Sequence, residues 1–244
     1  MADLTSLSVD VFTVVTDAVT DDVITRLTSR LTPDEEARRQ RLVRDVDRRT
    51  FVIARGLMQR TLSAYGPTPP GDWRFETNDY GCPFVVAPQA GTPRLMFNLS
   101  HTTGLVALAV TRGHEVGVDV EKVDRVVRED IAGRHFAPDE VRDLQALPAA
   151  AQPRAFFEYW TLKEAYIKAR GMGLAIPLGD FAFILRPPSS PVIRFVDGFE
   201  DRSDRWQFWQ AWPTAVHRLS LAVARDGADL AVTLTTTSAE TLVP

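Results

Sequence analysis

Along residues 10–16, DVFTVVT, apolar pairs are set between single polar positions, and the segment is β-branched and apolar enough to predict a first strand. Residues 18–31 carry a weaker helical pattern. Thr32-Pro33-Asp34-Glu35 then sets a helix start, with Thr as N-cap, Pro at the first helical position and Glu three residues after the cap. The helical pattern from 34 to about 65 reads as two helices, and Phe51, Ala54, Leu57, Met58 and Leu62 form an apolar stripe on the second. Gly66-Pro67-Thr68-Pro69-Pro70-Gly71 ends it. Short strands are predicted over residues 73–77, 95–98, 105–111 and 116–123, followed by a second helix start at Ala137-Pro138-Asp139-Glu140. A long helix covers 156–170, where Gly171 and Gly173 provide left-handed exits. Strands return at 181–185, 192–196, 206–212, 219–224 and 230–235, with a proline-rich loop at 186–191.

The chain echoes itself. LTPDEEARRQ at 31–40 resembles FAPDEVRDLQ at 136–145, and each segment follows a strand and precedes a long helix and further strands. The expected fold is therefore α+β: two similar halves, each a small, mainly antiparallel sheet packed against a long helix. The changeover falls near residues 113–117, which gives an N-terminal half of 1–114 and a C-terminal half of 115–244.

Three stretches could carry chemistry. Phe156, Trp160, Glu164 and Lys168 stand four apart and share one helix ridge, with Trp160 expected to be buried. A Glu and a Lys one turn apart can be a solvated pair worth ~0.3–0.5 kcal/mol, or part of a site. In VGVDVE, residues 116–121, the valines point one way while Gly117, Asp119 and Glu121 point the other. Two carboxylates on one strand face lie ~6.8 Å apart at Cα and can converge on one hard cation, or form the acidic solvent face of an edge strand. FNLSH, residues 97–101, ends a strand and enters a turn; Ser100, His101 and the adjoining N–H groups suit a phosphate, or a simple turn with an exposed His.

Composition narrows these choices. Net charge is −4, which argues against nucleic acid as partner, yet eight arginines lie between Arg38 and Arg60 against only Asp45 and Asp47. Such a chain has a local anion site, for which Arg48 and Arg49 at the second helix entrance are candidates, although a solvated basic face explains most of the eight. The lone Cys82 excludes an internal disulfide and fits a reducing compartment. The N-terminal residues carry Asp3 and Asp10 and no basic region of a secretory signal, and the apolar runs are too short to span a bilayer, so a cytoplasmic protein is expected. No G-x-S-x-G elbow is present, and the four histidines lack ligand-like spacing. Acidic metal ligands, a Glu–Lys ridge, Ser-His and arginines together match what a phosphate-rich substrate with Mg²⁺ requires.

FNLSH (97–101), VGVDVEK (116–122) and WTLKEAYIKARGMGL (160–174) resemble the three signature segments of the 4'-phosphopantetheinyl transferases, in the larger, surfactin-synthetase-activating (Sfp-type) branch. The resemblance runs from about residue 38 to 185. It implies a holo-[carrier protein] synthase that moves phosphopantetheine from coenzyme A to a serine of an apo acyl or peptidyl carrier protein, releasing adenosine 3',5'-bisphosphate, in polyketide, peptide or fatty-acid biosynthesis. By the same resemblance Asp119, Glu121 and Glu164 hold Mg²⁺ (or Mn²⁺), and Glu164 or a metal-bound water takes the serine proton. Lys168 stands at the departing phosphate, Ser100 and His101 contact coenzyme A phosphates, Arg49 reaches the 3'-phosphate, and Tyr80-Gly81 passes the adenine. A pseudo-dimeric monomer with the site between its halves is implied. Many members carry a basic residue after the Tyr-Gly pair, where this chain has Cys82. The alternatives are a non-catalytic homologue that binds coenzyme A or a carrier, and a Mg²⁺-dependent hydrolase of nucleotide phosphates. Acidic carriers could also be steered by the 38–60 arginines.

Overall fold

The computed structural model describes residues 7–124, 131–186 and 190–243. The expected loop at 186–191 therefore lies partly outside the described residues. The chain divides into two compact units, one formed by Met1–Thr77, Pro83–Gly113 and Ala231–Pro244, the other by Asn78–Cys82 and His114–Leu230.

In the first unit, strand β1 (Ser8–Val15) leads through helices α1 (Asp21–Thr28), α2 (Pro33–Arg41) and α3 (Asp45–Tyr65). A short antiparallel ribbon follows, β2 (Phe75–Thr77) with β3 (Pro83–Val85), and then the hairpin β4 (Leu95–Thr102) and β5 (Leu105–Arg112). In the second unit, β6 (Val116–Lys122) leads through α4 (Ile131–His135), α5 (Pro138–Gln145) and α6 (Gln152–Ala169). The ribbon β7 (Phe181–Ile184) with β8 (Val192–Phe195) comes next, then the hairpin β9 (Trp206–Thr214) and β10 (His217–Ala224). Element for element the two orders match.

Sheet pairing matches as well. In the first unit β1 runs antiparallel to β5, which runs antiparallel to β4; in the second, β6 runs antiparallel to β10, which runs antiparallel to β9. One strand breaks the correspondence. The last, β11 (Ala231–Thr236), joins the first sheet and lies parallel to β1, with Ser8 opposite Ala231 and Thr13 opposite Thr236. The expected cut at 114/115 falls one residue from the main boundary, but assigning everything after it to the C-terminal half is corrected here. Pairing partners, not chain position, decide which sheet receives a strand, and β1 left one edge open to β11.

Each unit has its own core. Val52, Ile53, Leu57 and Leu62 of α3 pack with Leu95, Phe97, Val106, Leu108 and Val110 of the β4–β5 hairpin. In the second unit Phe157, Leu162, Tyr166 and Ile167 of α6 pack with Phe181, Phe183, Trp206, Phe208 and Ala222. Phe156 is buried, whereas Trp160, expected to be buried, is only half-buried, stacked on Phe156 at 5.7 Å between ring centroids.

The sequence echo has a common physical use. Glu35 and Glu140 are the third residues of α2 and α5, and each carboxylate accepts the backbone N–H of the capping residue, Thr32 at 2.9 Å and Ala137 at 2.9 Å. In α2 the Thr32 hydroxyl returns the bond by accepting from the Glu35 N–H, at 3.3 Å. Ala137 has no oxygen to return, so α5 keeps half of that box. Each glutamate then pairs with a cation on the following long helix: Glu35 with Arg55, and Glu140 with Lys163 at 2.7 Å. Lys163 and Glu140 are fully buried; the ammonium also donates to the Leu178 and Phe181 carbonyls, both at 2.7 Å, and Glu140 accepts from the Phe183 N–H at 2.8 Å. Among the described residues no helix is long and apolar enough to cross a membrane.

Candidate active site

A glycine sets the site. Strand β6 crosses α6 so closely at Gly117 that a Cβ there would sit 2.0 Å from the Ala165 carbonyl oxygen and 2.4 Å from the Ala169 nitrogen. Glycine inside a strand marks such an approach. Its effect is felt two residues on, where Asp119 shares the Gly117 face and meets the last turns of α6. Asp119 is 5% exposed, so this face is not the solvent-facing acidic edge that alternation alone allowed.

Lys168 Nζ donates to Asp119 Oδ1 at 2.6 Å. The i,i+4 pair that the sequence suggested between Glu164 and Lys168 is thus supplemented by a stronger one across the strand–helix contact. Glu164, one turn earlier, has its carboxyl raised to about 7 by burial first and then by the negative charges of Asp119 and Glu121, with Lys168 opposing. Asp119, Glu121 and Glu164 therefore share one electrostatic neighbourhood with the Lys168 ammonium. As placed, no group of three Asp, Glu, His or Cys side chains among the described residues is close enough to hold a metal ion. The donor chemistry nonetheless suits a hard divalent cation: three carboxylates and oxygen ligands only, with Asp119 and Glu121 adding to burial in raising Glu164.

Supporting contacts fix both elements. On β10, Ser220 lies opposite Asp119 and shares a 2.6 Å hydrogen bond with Thr161 of α6, while Gln210 Nε2 donates to the same Ser220 hydroxyl at 2.9 Å. At the far end of α6, Arg170 and Tyr166 both donate to Asp201 Oδ2, at 2.6 and 2.8 Å, and Trp206 Nε1 adds a third bond at 2.9 Å. Gly171 takes φ +64° and Gly173 φ +54°, the left-handed exits expected of them.

Tyr80 and Gly81 belong to this unit too. Asn78 Nδ2 donates to the Gly171 carbonyl at 2.7 Å, and its Oδ1 accepts from the N–H groups of Tyr80 and Cys82 at 3.0 and 2.9 Å. The turn is thereby clipped to the end of α6, with Tyr80 more than half exposed. Asn78 went unnoticed in the sequence, although an Asn two residues before a Tyr-Gly turn is a recognisable Asx signal. Gly117 and Ser220 were missed as positioning groups; the strand glycine was the available clue.

The remaining expected residues lie in the first unit. Ser100 and His101 do not enter a turn: β4 continues through Thr102, pairing Ser100 with Ala107 and His101 with Val106. The turn comes at residues 103–104, because the polar SHT run keeps an inward-outward alternation that the β5 partner can still pair. Ser100 is buried and His101 exposed, near enough to Asp47 for the His charge to help depress that carboxyl, after Arg44. Arg49 donates to Asp21 and, at 2.8 Å, to the Val19 carbonyl, so its fork ties α3 to the start of α1.

The family described as the 4'-phosphopantetheinyl transferase superfamily matches residues 115–224, and the one described as 4'-phosphopantetheinyl transferase, N-terminal, matches residues 19–113. The chain is 36% identical over 150 residues to the 4'-phosphopantetheinyl transferase HetI of Nostoc sp., covering 61% of this chain and 63% of that protein. A 4'-phosphopantetheinyl transferase of Bacillus subtilis is 34% identical over 152 residues, 62% of this chain and 65% of its own. Sfp, from Bacillus subtilis strain 168, is 28% identical over 172 residues, 70% of this chain and 74% of its own. The chain thus spans a little under two thirds of the first two relatives' length. Two separate matches, with descriptions of the same family, fall one on the bulk of each unit, and the strand and helix orders of those units repeat: the chain belongs to the 4'-phosphopantetheinyl transferase superfamily.

Proposed function

We propose that the protein is a holo-[carrier protein] synthase: it transfers 4'-phosphopantetheine from coenzyme A to a serine hydroxyl of an apo carrier protein and releases adenosine 3',5'-bisphosphate. The observation that carries this reading is the grouping of Asp119, Glu164 and Lys168 at the β6–α6 crossing, with the Glu164 carboxyl at about 7. Asp119, Glu121 and Glu164 would hold a divalent cation, Mg²⁺ or Mn²⁺, which when bound neutralises charge on the pyrophosphate of the donor.

The protein groups have distinct tasks. Glu164 takes the serine proton as the serine oxygen bonds to phosphorus and the pyrophosphate P–O bond breaks. Lys168 offers a fixed positive charge to the departing phosphate, and Asp119 holds that ammonium in place. Ser100, His101 and Arg49 would contact the phosphates of coenzyme A, Arg49 by exchanging Asp21 for a ligand oxygen, while Tyr80 and Gly81 would border the adenine. The exposed Tyr80 supports that role. We place the reaction in the cytoplasm, in keeping with a lone thiol at Cys82, and assign it to a monomer.

Intact-mass spectrometry of an apo carrier protein incubated with this protein, coenzyme A and Mg²⁺ tests the proposal. A gain of one phosphopantetheine, abolished by EDTA and by Glu164→Ala, is expected. No gain on several unrelated carriers, with coenzyme A still bound, would favour the non-catalytic binding role; release of adenosine bisphosphate without carrier would favour a hydrolase.

A further inference from the structure

The outer strand of the first sheet is lined with threonine. Thr233 and Thr235 of β11, and Thr237 just beyond it, alternate in sequence and face the same cavity, of about 580 Å³. The opposite wall is α3, where Leu57, Arg60, Thr61 and Ala64 recur at helical spacing, and the floor includes Asp10 and Phe12 of β1. Threonine at these strand positions is too short to close the space that a leucine or phenylalanine would fill. The volume is within the range of small-molecule sites, roughly 300–1,000 Å³.

Its two ends differ in charge. Arg60 donates from Nε to the Thr241 carbonyl at 3.3 Å, and among the described residues no carboxylate lies within ion-pair distance of its guanidinium. Arg39, Arg44, Arg48, Arg49 and Arg55, on the same helices, each have one. In the same lining the Thr237 hydroxyl is buried without a hydrogen-bond partner among the described residues. At the other end Tyr65 donates its hydroxyl to Asp10 Oδ2 at 2.6 Å, which leaves that carboxylate with acceptor capacity and, among the described residues, no side-chain donor beyond the tyrosine. Arg60 and Tyr65 are five residues apart, about 7.5 Å along the helix axis. Phe12 and Ala64, both only half-buried, provide the apolar surface of the lining.

We propose that this cavity binds a small amphipathic acid. A carboxylate pairs with Arg60 and accepts from the Thr237 hydroxyl, an apolar span covers Phe12 and Ala64, and a hydroxyl at the far end donates to Asp10. A second anion at the Asp10 end is repelled, and an alkyl end there would desolvate the carboxylate without replacing its hydrogen bonds. All lining residues belong to the first unit, and none is among the residues assigned above to transfer. The site therefore stands independently of the transferase reading.

Isothermal titration of the full-length protein, without coenzyme A or divalent ions, tests it with ω-hydroxyoctanoate, octanoate and octanediol. The expected result is saturable binding of ω-hydroxyoctanoate with Kd at or below about 1 mM, and binding of octanoate and octanediol weaker by roughly tenfold, since each forfeits one hydrogen-bonded end. Arg60→Gln should weaken the hydroxy acid by at least about tenfold, and Thr235→Phe, which fills the cavity, should abolish binding. Both positions are exposed, and an unchanged thermal midpoint checks that the variants fold. Absence of saturation, equal affinity for Arg60→Gln, or equal affinity for octanediol would overturn the proposal; equal affinity for octanoate would overturn the part assigned to Asp10.

Discussion

Replacing Gly117 by alanine tests whether the approach of β6 to α6 builds the site. The added Cβ would meet the Ala165 oxygen at 2.0 Å, the Ala169 nitrogen at 2.4 Å and the Ala169 Cα at 3.0 Å. All three are helix backbone, so no side chain can rotate away, and the strand must withdraw by more than about 1 Å to restore ordinary contact. Overpacking of this kind costs ~1–3 kcal/mol and more where backbone must move, while the entropy lost from the unfolded chain returns only ~0.4–1 kcal/mol. Because the backbone must move, the cost lies at or above the upper end of the overpacking range, and a net loss of at least about 2 kcal/mol is expected in urea denaturation. Activity should suffer separately, because Asp119 two residues on would leave its 2.6 Å bond with Lys168. A shift of that size costs about a hundredfold in kcat/KM for carrier modification. Gly179→Ala is the control, since nothing lies within 4 Å of a Cβ there, and it should stay within about 0.5 kcal/mol of wild type. Gly56→Ala is intermediate, for its Cβ meets the movable end of Leu27 at 2.8 Å. Indistinguishable stability of the Gly117 and Gly179 variants would refute the reasoning.

Two further outcomes are expected. Lys163→Met leaves the Glu140 carboxylate buried without its cation and should cost about 3–5 kcal/mol, whereas Lys163→Met combined with Glu140→Gln should recover at least half of that; a denaturation cycle with additive losses would contradict the pairing. Glu164 has a folded-state pKa of about 7, above the ordinary 4.5. Its stabilising contribution is thus complete below 4.5 and lost as pH rises through 7, amounting to up to about 3 kcal/mol before solvent screening is deducted. In EDTA, wild type should therefore lose stability over that window relative to Glu164→Gln; parallel pH profiles would rule it out.

Much of this fold could be read from local chemistry. The Thr-Pro-Asp-Glu start of α2 lies at Thr32–Glu35 as expected, with both halves of its capping box formed. The long helix ends at the glycines, beginning four residues earlier than its aromatic ridge suggested, at Gln152 behind Pro153. What local pattern could not supply was pairing. Nothing in the alternation of AVTLTT states that β11 joins β1 rather than the neighbours that precede it in sequence. Strand β3 is three residues long and begins with proline, too short for any periodicity to register. Within the site, Asp119, Glu164 and Lys168 were visible as residues, but their ion pairing was not. The sequence suggested a Glu164–Lys168 ridge, and only the crossing at Gly117 brings Asp119 to Lys168. Arg49 shows the opposite limit: an arginine suited to phosphate is held by Asp21 and a carbonyl, partners 28 and 30 residues away.

The parallel pairing of β11 with β1 makes residues 114–230 an insertion. Thr111 and Val232 both lie opposite Val9, one on each side, so the chain leaves and re-enters the first sheet across two strand spacings, about 10 Å. A segment whose ends are that close can be lifted out and bridged by a few residues, as tolerated domain insertions are. The second unit is accordingly tethered at both ends, and breaking the chain once, anywhere between the units, does not release it. A fragment cut at residue 114 would lose a strand of its own sheet, whereas excision of 114–230 with a short linker would keep all four. The repeat in this chain is one of form; in connectivity one copy is host and the other is guest.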